Sequence, residues 1–446
     1  MAFRLEDLAY ILSCLRQGAD CSIVGVSNMG KSALLRAVPA YVAEAWAADS
    51  PPPLAVYVDC NAMLEMTDQG FYEVILRAMV ERLAQEGDSS LLPRLREAYE
   101  RVVGPEGHFQ VALGFNEALR VFFASSERPL ALLLDEFDEP LAGMPRRVFL
   151  NLRALKDRYR ERLSFVTATN RRLPTQRHQH EVLEFCELFA LHTYDLGPLS
   201  REDAWQYVQA FAQREGVTFD EHDFAFIWQQ AGGHPGLMEV VCRSLGQVTG
   251  KPVRDVTQDW LIHREVRDLL AQEPAVQAEC ARIWNDLLPD EQEALLALVS
   301  PGQGPPAESL SRLFRRRVVV EEEGEAVPFC HLFRDYLRRQ YLSRREPQAG
   351  VQVDVDSGEV WVDGRKVPPL TNLEFRLLLL LYGRMGKICD KYQVVEAVWG
   401  QDYLDEVDDA RIEKLVSRLR HKLEEDPANP KYLVTVRGRG YRLMPA

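Results

Sequence analysis

Four short apolar runs punctuate the first 195 residues: 21–26, 54–59, 130–134 and 163–169. Between them, residues 32–45, 70–85 and 115–124 carry apolar side chains at helical spacing. Strands this short and this uniformly apolar are buried on both faces. Their alternation with helices predicts a parallel sheet covered on both sides. From about residue 200 the period is helical over 201–215, 220–231 and 235–248. The cluster Gly232-Gly233-His234-Pro235-Gly236 breaks it, and helical sequence resumes to about 285. Residues 286–345 predict a small helical unit with a hairpin. Its strands are 317–320 and 327–330, its turn is Glu321-Glu322-Glu323-Gly324-Glu325, and a helix follows over 331–341. The polar stretch 343–350 reads as a linker, and 351–446 as a last domain.

Length and composition fit this multidomain reading. The chain has 446 residues, too many for one core, with 46% hydrophobic and 27% charged residues. Eight scattered cysteines, with no C-x-x-C pair, point to reduced, packed thiols and a cytoplasmic setting. The first residues lack a signal-peptide pattern, and no window reaches eighteen consecutive apolar residues, so no membrane partner is expected. The net charge of −14 argues against nucleic-acid binding along the whole chain but leaves room for one local basic face.

Candidate chemistry begins at the first strand. Gly25-Val26-Ser27-Asn28-Met29-Gly30-Lys31-Ser32 follows residues 21–26 and opens a helix, matching G-x-x-x-x-G-K-S/T. In that context backbone N–H groups and a helix N-terminus surround phosphate. Lys31 would reach the β- and γ-phosphates and Ser32 would ligate Mg²⁺. The run 130–134 then delivers Asp135 and Glu136 at a strand end, where open α/β sheets bind ligands. Asp135 is the expected metal ligand, and Glu136 the group that orients an attacking water. The run 163–169 ends in Asn170-Arg171-Arg172. Asn170 is the first choice for a γ-phosphate or water contact, with either arginine adding positive charge.

These motifs make residues 1–345 resemble the AAA+/STAND group of P-loop ATPases, particularly small members related to origin-recognition ATPases. The carrying residues are 25–32, Asp135-Glu136, Asn170 in the sensor-1 position, and Gly233-His234-Pro235 as the G-x-P element of a helical lid. The resemblance implies that His234 and Pro235 lie near bound nucleotide and that a winged helix follows the lid. No arginine finger or sensor-2 arginine is identified, which implies a slow ATPase used as a switch rather than a motor.

The basic face lies at the far end. Residues 411–442 hold nine Lys and Arg against four Asp and Glu, a local charge of +5. Ile412, Leu415, Val416, Leu419 and Leu423 form an apolar helical stripe, while Arg411, Lys414, Arg418 and His421 share another face. Such a helix buries one side and offers cations to a major groove. A hairpin follows around Arg437-Gly438-Arg439-Gly440, with Arg437 and Arg439 at its tip.

Residues 351–446 closely resemble the OmpR/PhoB-type winged-helix domain of response regulators. The motifs are the strand set 351–362, Leu370-Thr371-Asn-Leu-Glu374-Phe375, Val394-Val-Glu-Ala-Val-Trp399-Gly400, Val416-Ser-Arg418-Leu-Arg420-His-Lys-Leu423 and Val436-Arg437-Gly438-Arg439-Gly440-Tyr441-Arg442. The resemblance implies that 409–424 is the recognition helix and Arg437 the wing arginine. It also implies that the acidic loop 401–409 would face RNA polymerase. No receiver domain precedes the winged helix, and the nucleotide module stands in its place.

The whole chain therefore reads as multidomain α/β plus α: a P-loop α/β domain (1–197), a helical lid (198–285), a first winged helix (286–345), a linker (346–350) and a C-terminal winged helix (351–446). The expected function is an ATP-dependent transcriptional regulator of specific double-stranded DNA, with ATP and Mg²⁺ as cofactors and a homo-oligomer as one mode of switching. The alternative is a DNA-remodelling or loader ATPase that assembles on DNA.

Overall fold

The computed structural model describes residues 4–46, 50–87, 91–105, 107–173, 179–248, 256–300, 304–345, 350–353, 358–400 and 409–445. They divide into two compact units, Met1–Arg338 and Arg339–Ala446.

The first unit is built on β1 (Cys21–Val24), β2 (Leu54–Asp59), β3 (Leu130–Asp135), β4 (Leu163–Thr169) and β5 (Thr193–Asp195). They form one sheet in the order β2-β3-β4-β1-β5, with every neighbouring pair parallel. β1, β3 and β4 are buried along their whole length, as a sheet covered by helices on both faces requires. The register sets Asp59 beside Asp135 and Val24 beside Thr169. The loops after β1, β3 and β4 therefore leave the same sheet edge side by side. β5 escaped the sequence pattern because it is three residues long and only half-buried. β1 ends two residues before the apolar run does. Gly25 gives its N–H to the Thr169 carbonyl at 3.1 Å, and the chain then leaves the ladder. The helix expected from residue 115 begins at His108 and runs to Ser125. Val111 is buried, so the apolar face extends a turn earlier.

Five helices follow: Arg201–Glu215, Glu221–Ala231, Pro235–Val248, Val256–Gln272 and Pro274–Asn285. Their starts are chemically marked. The Ser200 hydroxyl accepts the Asp203 N–H at 3.1 Å, and Asp220 and Asp223 form a reciprocal capping box. Gly232 and Gly233 end the second helix with φ of 57° and 79°. A Cβ on Gly233 would lie 2.6 Å from the Leu199 carbonyl oxygen, so the double glycine permits both the left-handed turn and the close packing.

Residues 286–338 contain helices Pro289–Val299 and Ala307–Arg315, an antiparallel hairpin Val319–Glu322 with Glu325–Pro328, and the start of helix His331–Arg345. The hairpin turn is tighter than the sequence pattern implied. Glu323 and Gly324 alone make it, with φ of 53° and 86°, the two-residue geometry that matches strand twist. Both strands shift accordingly.

The second unit opens with three antiparallel strands, Val351–Val353, Val360–Val362 and Arg365–Lys366. Helices Asn372–Gly383, Lys391–Val398 and Asp409–Leu423 follow, then the hairpin Leu433–Val436 with Gly440–Leu443. Leu377, Leu381, Val394, Val398, Leu419 and Leu433 share its core. The Thr371 N–H donates to Glu374 Oε2 at 2.8 Å, so the Thr-x-x-Glu pattern is a helix start. The buried Glu424 carboxylate accepts the N–H groups of Lys431, Tyr432 and Leu433, fixing the hairpin to the preceding helix. Residues 346–349 and 401–408 lie outside the described residues, and with them most of the expected linker and the acidic positions Asp402, Asp405, Glu406 and Asp408. Among the described residues no helix is long and apolar enough to cross a membrane. All eight cysteines are buried free thiols.

Candidate nucleotide site and nucleic-acid interface

Gly30 stands just before helix Lys31–Ala45 with φ 96°, and the first turn of that helix holds no acidic residue. Its positive end is therefore left for a ligand's charge. The loop in front of it is fixed from behind. Val26 and Met29 are fully buried. The buried Arg4 guanidinium donates to the Met29 carbonyl at 2.6 Å and the Gly197 carbonyl at 3.0 Å. Arg4 gave no sequence signal, because it lies far from the motif in the chain.

Lys31 is buried, and Nζ donates to the carbonyls of Gly25 (2.8 Å) and Val26 (3.2 Å) and to Asn170 Oδ1 (2.6 Å). Burial lowers its pKa, opposed first by the Asp286 carboxylate and then by Glu136, Asp138 and Asp135. Asn170 is held at the end of β4, where its N–H meets both carboxylate oxygens of Asp138 at 3.0 and 2.9 Å. The loops after β1, β3 and β4 are thus tied into one cluster.

Asp135 Oδ2 accepts the Tyr57 hydroxyl at 2.6 Å. Its Oδ1 is buried without a hydrogen-bond partner among the described residues. Glu136 is half-buried and holds a left-handed φ of 52°, a costly geometry for a side-chain-bearing residue. Burial raises its pKa; Lys31 pulls the other way, and Asp135, Asp138 and Asp59 push it further up. Asn28, with φ 57°, is the second non-glycine of this kind in the cluster.

The start of helix Pro235–Val248 packs against the loop. His234 is fully buried, its Nε2 lies 3.0 Å from the Ser27 carbonyl, and its Nδ1 accepts the Leu237 N–H at 3.2 Å. That pair of contacts assigns the proton to Nε2 of a neutral ring. Burial drives the pKa of His234 down to about 4. A cleft of about 780 Å³ opens between the loop and helix Pro235–Val248, lined among others by Lys31, Ser32, Glu136, Pro235, Arg36 and Arg243. Arg36 and Arg243 were not singled out from sequence. Arg243 sits two turns after Pro235, a spacing that puts both on one helix face. The arginines after Asn170 are both anchored. Arg172 pairs with Asp195, and Arg171 Nε donates to the Asp286 carbonyl at 2.8 Å.

In the second unit, Arg411, Lys414, Arg418 and His421 are exposed along one side of helix Asp409–Leu423, while Ile412, Leu415, Val416, Leu419 and Leu423 are buried on the other. Arg437 and Arg439 are exposed at the hairpin tip. Other cations of the same segment hold the domain together. Arg420 donates to the Leu433 carbonyl and to Thr435 Oγ1, and Lys422 bonds Glu374 Oε2 at 2.7 Å.

Two classes of domain meet in this chain. Residues 3–172 match the AAA ATPase domain model, and residues 365–443 match the model described as transcriptional regulatory protein, C terminal. The chain thus carries an ATPase domain followed by a response-regulator-like DNA-binding domain. Among curated relatives, the sensory transduction protein RegX3 of Mycolicibacterium smegmatis is 44% identical over 93 residues, 21% of this chain and 40% of that protein. The chain thus spans about 40% of that relative's length. Among solved structures, the DNA-binding domain of Klebsiella pneumoniae RstA in complex with the RstA box is 28% identical, covering 22% of this chain and 94% of that one, with a TM-score of 0.20. A Walker-type ATPase of Pyrococcus abyssi is 13% identical, covering 75% of this chain and 95% of that one, with a TM-score of 0.48.

Proposed function

We propose that the chain is an ATP-dependent transcriptional regulator that reads specific double-stranded DNA through its C-terminal winged helix and uses ATP binding and slow hydrolysis as its switch. The observation that carries the reading is one polypeptide holding both the Lys31–Asn170–Glu136 cluster and the exposed row Arg411, Lys414, Arg418 and His421.

In this reading the backbone of residues 25–32 cradles phosphate and Lys31 neutralises its charge. The orphaned Asp135 Oδ1 and the hydroxyl of Ser32, which lines the cleft, are oxygen ligands of the kind a hard cation takes, and Mg²⁺ held by them would draw charge from the phosphates. Glu136, at the rim of the cleft, takes a proton from the attacking water, and Asn170 positions the terminal phosphate. His234 and Pro235 bring the lid to the nucleotide. Residues 286–345 act as a first winged helix. In the last domain Arg418 and its neighbours enter the major groove, while Arg437 and Arg439 reach phosphate or the minor groove. Any contact with RNA polymerase or between copies belongs to the same proposal.

Genome-wide occupancy mapping of the full chain tests it. Discrete promoter peaks that weaken in Lys31→Ala are expected. Broad or origin-centred occupancy would favour a loader ATPase instead.

A further inference from the structure

The phosphate loop is already engaged by two carboxylates, one in helix Pro274–Asn285 and one just after it. The Ser27 N–H donates to Asp286 Oδ2 at 2.5 Å. The Asn28 amide donates to both oxygens of Glu279, at 3.0 and 2.7 Å. Asp286 is buried, and it is the foremost of the acids whose field acts on the Lys31 ammonium. Its backbone is gripped as well. Its carbonyl accepts from Arg171 at 2.8 Å and from Arg316 at 3.1 Å. Arg316, half-buried at the end of helix Ala307–Arg315, also donates to the Asn170 carbonyl at 2.9 Å and pairs with Glu291 at 3.5 Å.

The position of this carboxylate within the loop decides its meaning. The α- and β-phosphates belong at the helix N-terminus, over residues 30–32. Ser27 lies on the strand side of the loop, and Lys31, which reaches the β- and γ-phosphates, is bonded to Asn170. Asp286 therefore lies at the terminal-phosphate end. A diphosphate leaves that end unused. A γ-phosphate brings a second anion against a buried carboxylate in a poorly screened site, and the two repel.

Resting on the nucleotide-binding reading of the same loop, we propose that Asp286 is a specificity-determining residue that favours nucleoside diphosphate and must be expelled by a triphosphate. Its expulsion breaks the Asp286–Ser27 tie and disturbs the Arg316 contacts, so the third phosphate is read by residues 286–338. A ligand shifts such an equilibrium only through differential affinity, and Asp286 supplies the difference.

The experiment is calorimetric titration of the full chain with MgADP and with the magnesium complex of a non-hydrolysable ATP analogue. Asp286→Asn keeps an oxygen for the Ser27 N–H and removes the charge. It should raise affinity for the analogue by about tenfold while changing ADP affinity far less. Equal changes for both nucleotides, or no change, would overturn the inference. Hydrogen exchange on the wild-type chain tests it independently of whether the variant folds. The analogue should speed exchange across residues 289–316 and ADP should not; identical patterns overturn it. Wild-type chain that binds neither nucleotide would instead overturn the nucleotide site itself, and this inference with it.

Discussion

Lys31 Nζ and Asn170 Oδ1 lie 2.6 Å apart, joining the loop after β1 to the end of β4. The contact keeps a buried ammonium satisfied and poised at the positive end of a helix. Lys31→Ala should therefore remove nucleotide affinity, by at least about a hundredfold, through loss of the phosphate counter-charge. Titration of the full-length variant with MgADP checks this. Affinity equal to wild type would show that the loop does not hold phosphate.

In the proposed mechanism Glu136 must lose its proton before it can accept one from water. Because burial raises its pKa, hydrolysis should decline as pH falls through that raised value, earlier than an ordinary carboxylate would dictate. Glu136→Gln should keep nucleotide binding and lose most hydrolysis at every pH. A variant that turns over ATP at the wild-type rate would remove Glu136 from the mechanism.

His234 gives the first unit its own pH dependence. The folded pKa is about 4, against about 6.5 for an unfolded histidine. Between those values the unfolded chain binds the extra proton, so stability is full above about 6.5 and falls as pH drops towards 4. The loss is on the order of 3 kcal/mol, since Nδ1 must surrender the Leu237 N–H and the ring must charge in a dry site. Urea denaturation of wild type and His234→Gln across this range measures it. Parallel pH profiles for the two would refute the assignment.

Gly440 carries the same kind of argument for the second unit. Its φ is 124°, and a Cβ there would stand 2.1 Å from the Cys389 carbonyl oxygen. Gly440→Ala should destabilise the wing by at least about 2 kcal/mol, read as a lower denaturation midpoint for residues 339–446. Gly438→Ala is the comparison, strained by its φ of 72° but meeting no neighbour within 4 Å. Equal losses in the two would mean that contact with Cys389 contributes nothing.

What the sequence made legible was whatever is written locally. Buried strands, the glycine-bounded loop 25–32, the Asp135-Glu136 pair and the two-faced helix 409–423 each announce themselves within one window of chain. The rest of the site is assembled from distant segments. Arg4 reaches Met29 across 25 positions, and Ser27 meets Asp286 across 259. No periodicity encodes such pairs. Arg171 and Arg172 are legible as cations but not as anchored ones, because their acceptors, the Asp286 carbonyl and Asp195, come from other elements. Tyr57 was hidden for a related reason. An aromatic residue in a strand reads as core until the fold brings its hydroxyl diagonally across to Asp135 on the neighbouring strand.

Helix Asp409–Leu423 and the hairpin tip should contribute to DNA binding in different ways. Arg418 is exposed on the helix side opposite Ile412, Leu415 and Leu419, and neighbouring cations such as Arg420 and Lys422 are held by the domain itself. If Arg418 reads a base edge, Arg418→Ala should cost about 1–3 kcal/mol at the cognate site and relax preference at one position. Arg437 stands exposed where the wing turns. If its guanidinium meets phosphate or a narrow minor groove, Arg437→Ala should weaken many sequences alike and lower the salt slope by about one counterion. Binding of each full-length variant to one cognate and one scrambled duplex, across a salt series, separates the two. Discrimination should fall in the first variant and the slope in the second. Wild-type discrimination and slope in both would mean that this face does not touch DNA, and the domain would then have to serve as a protein-binding module.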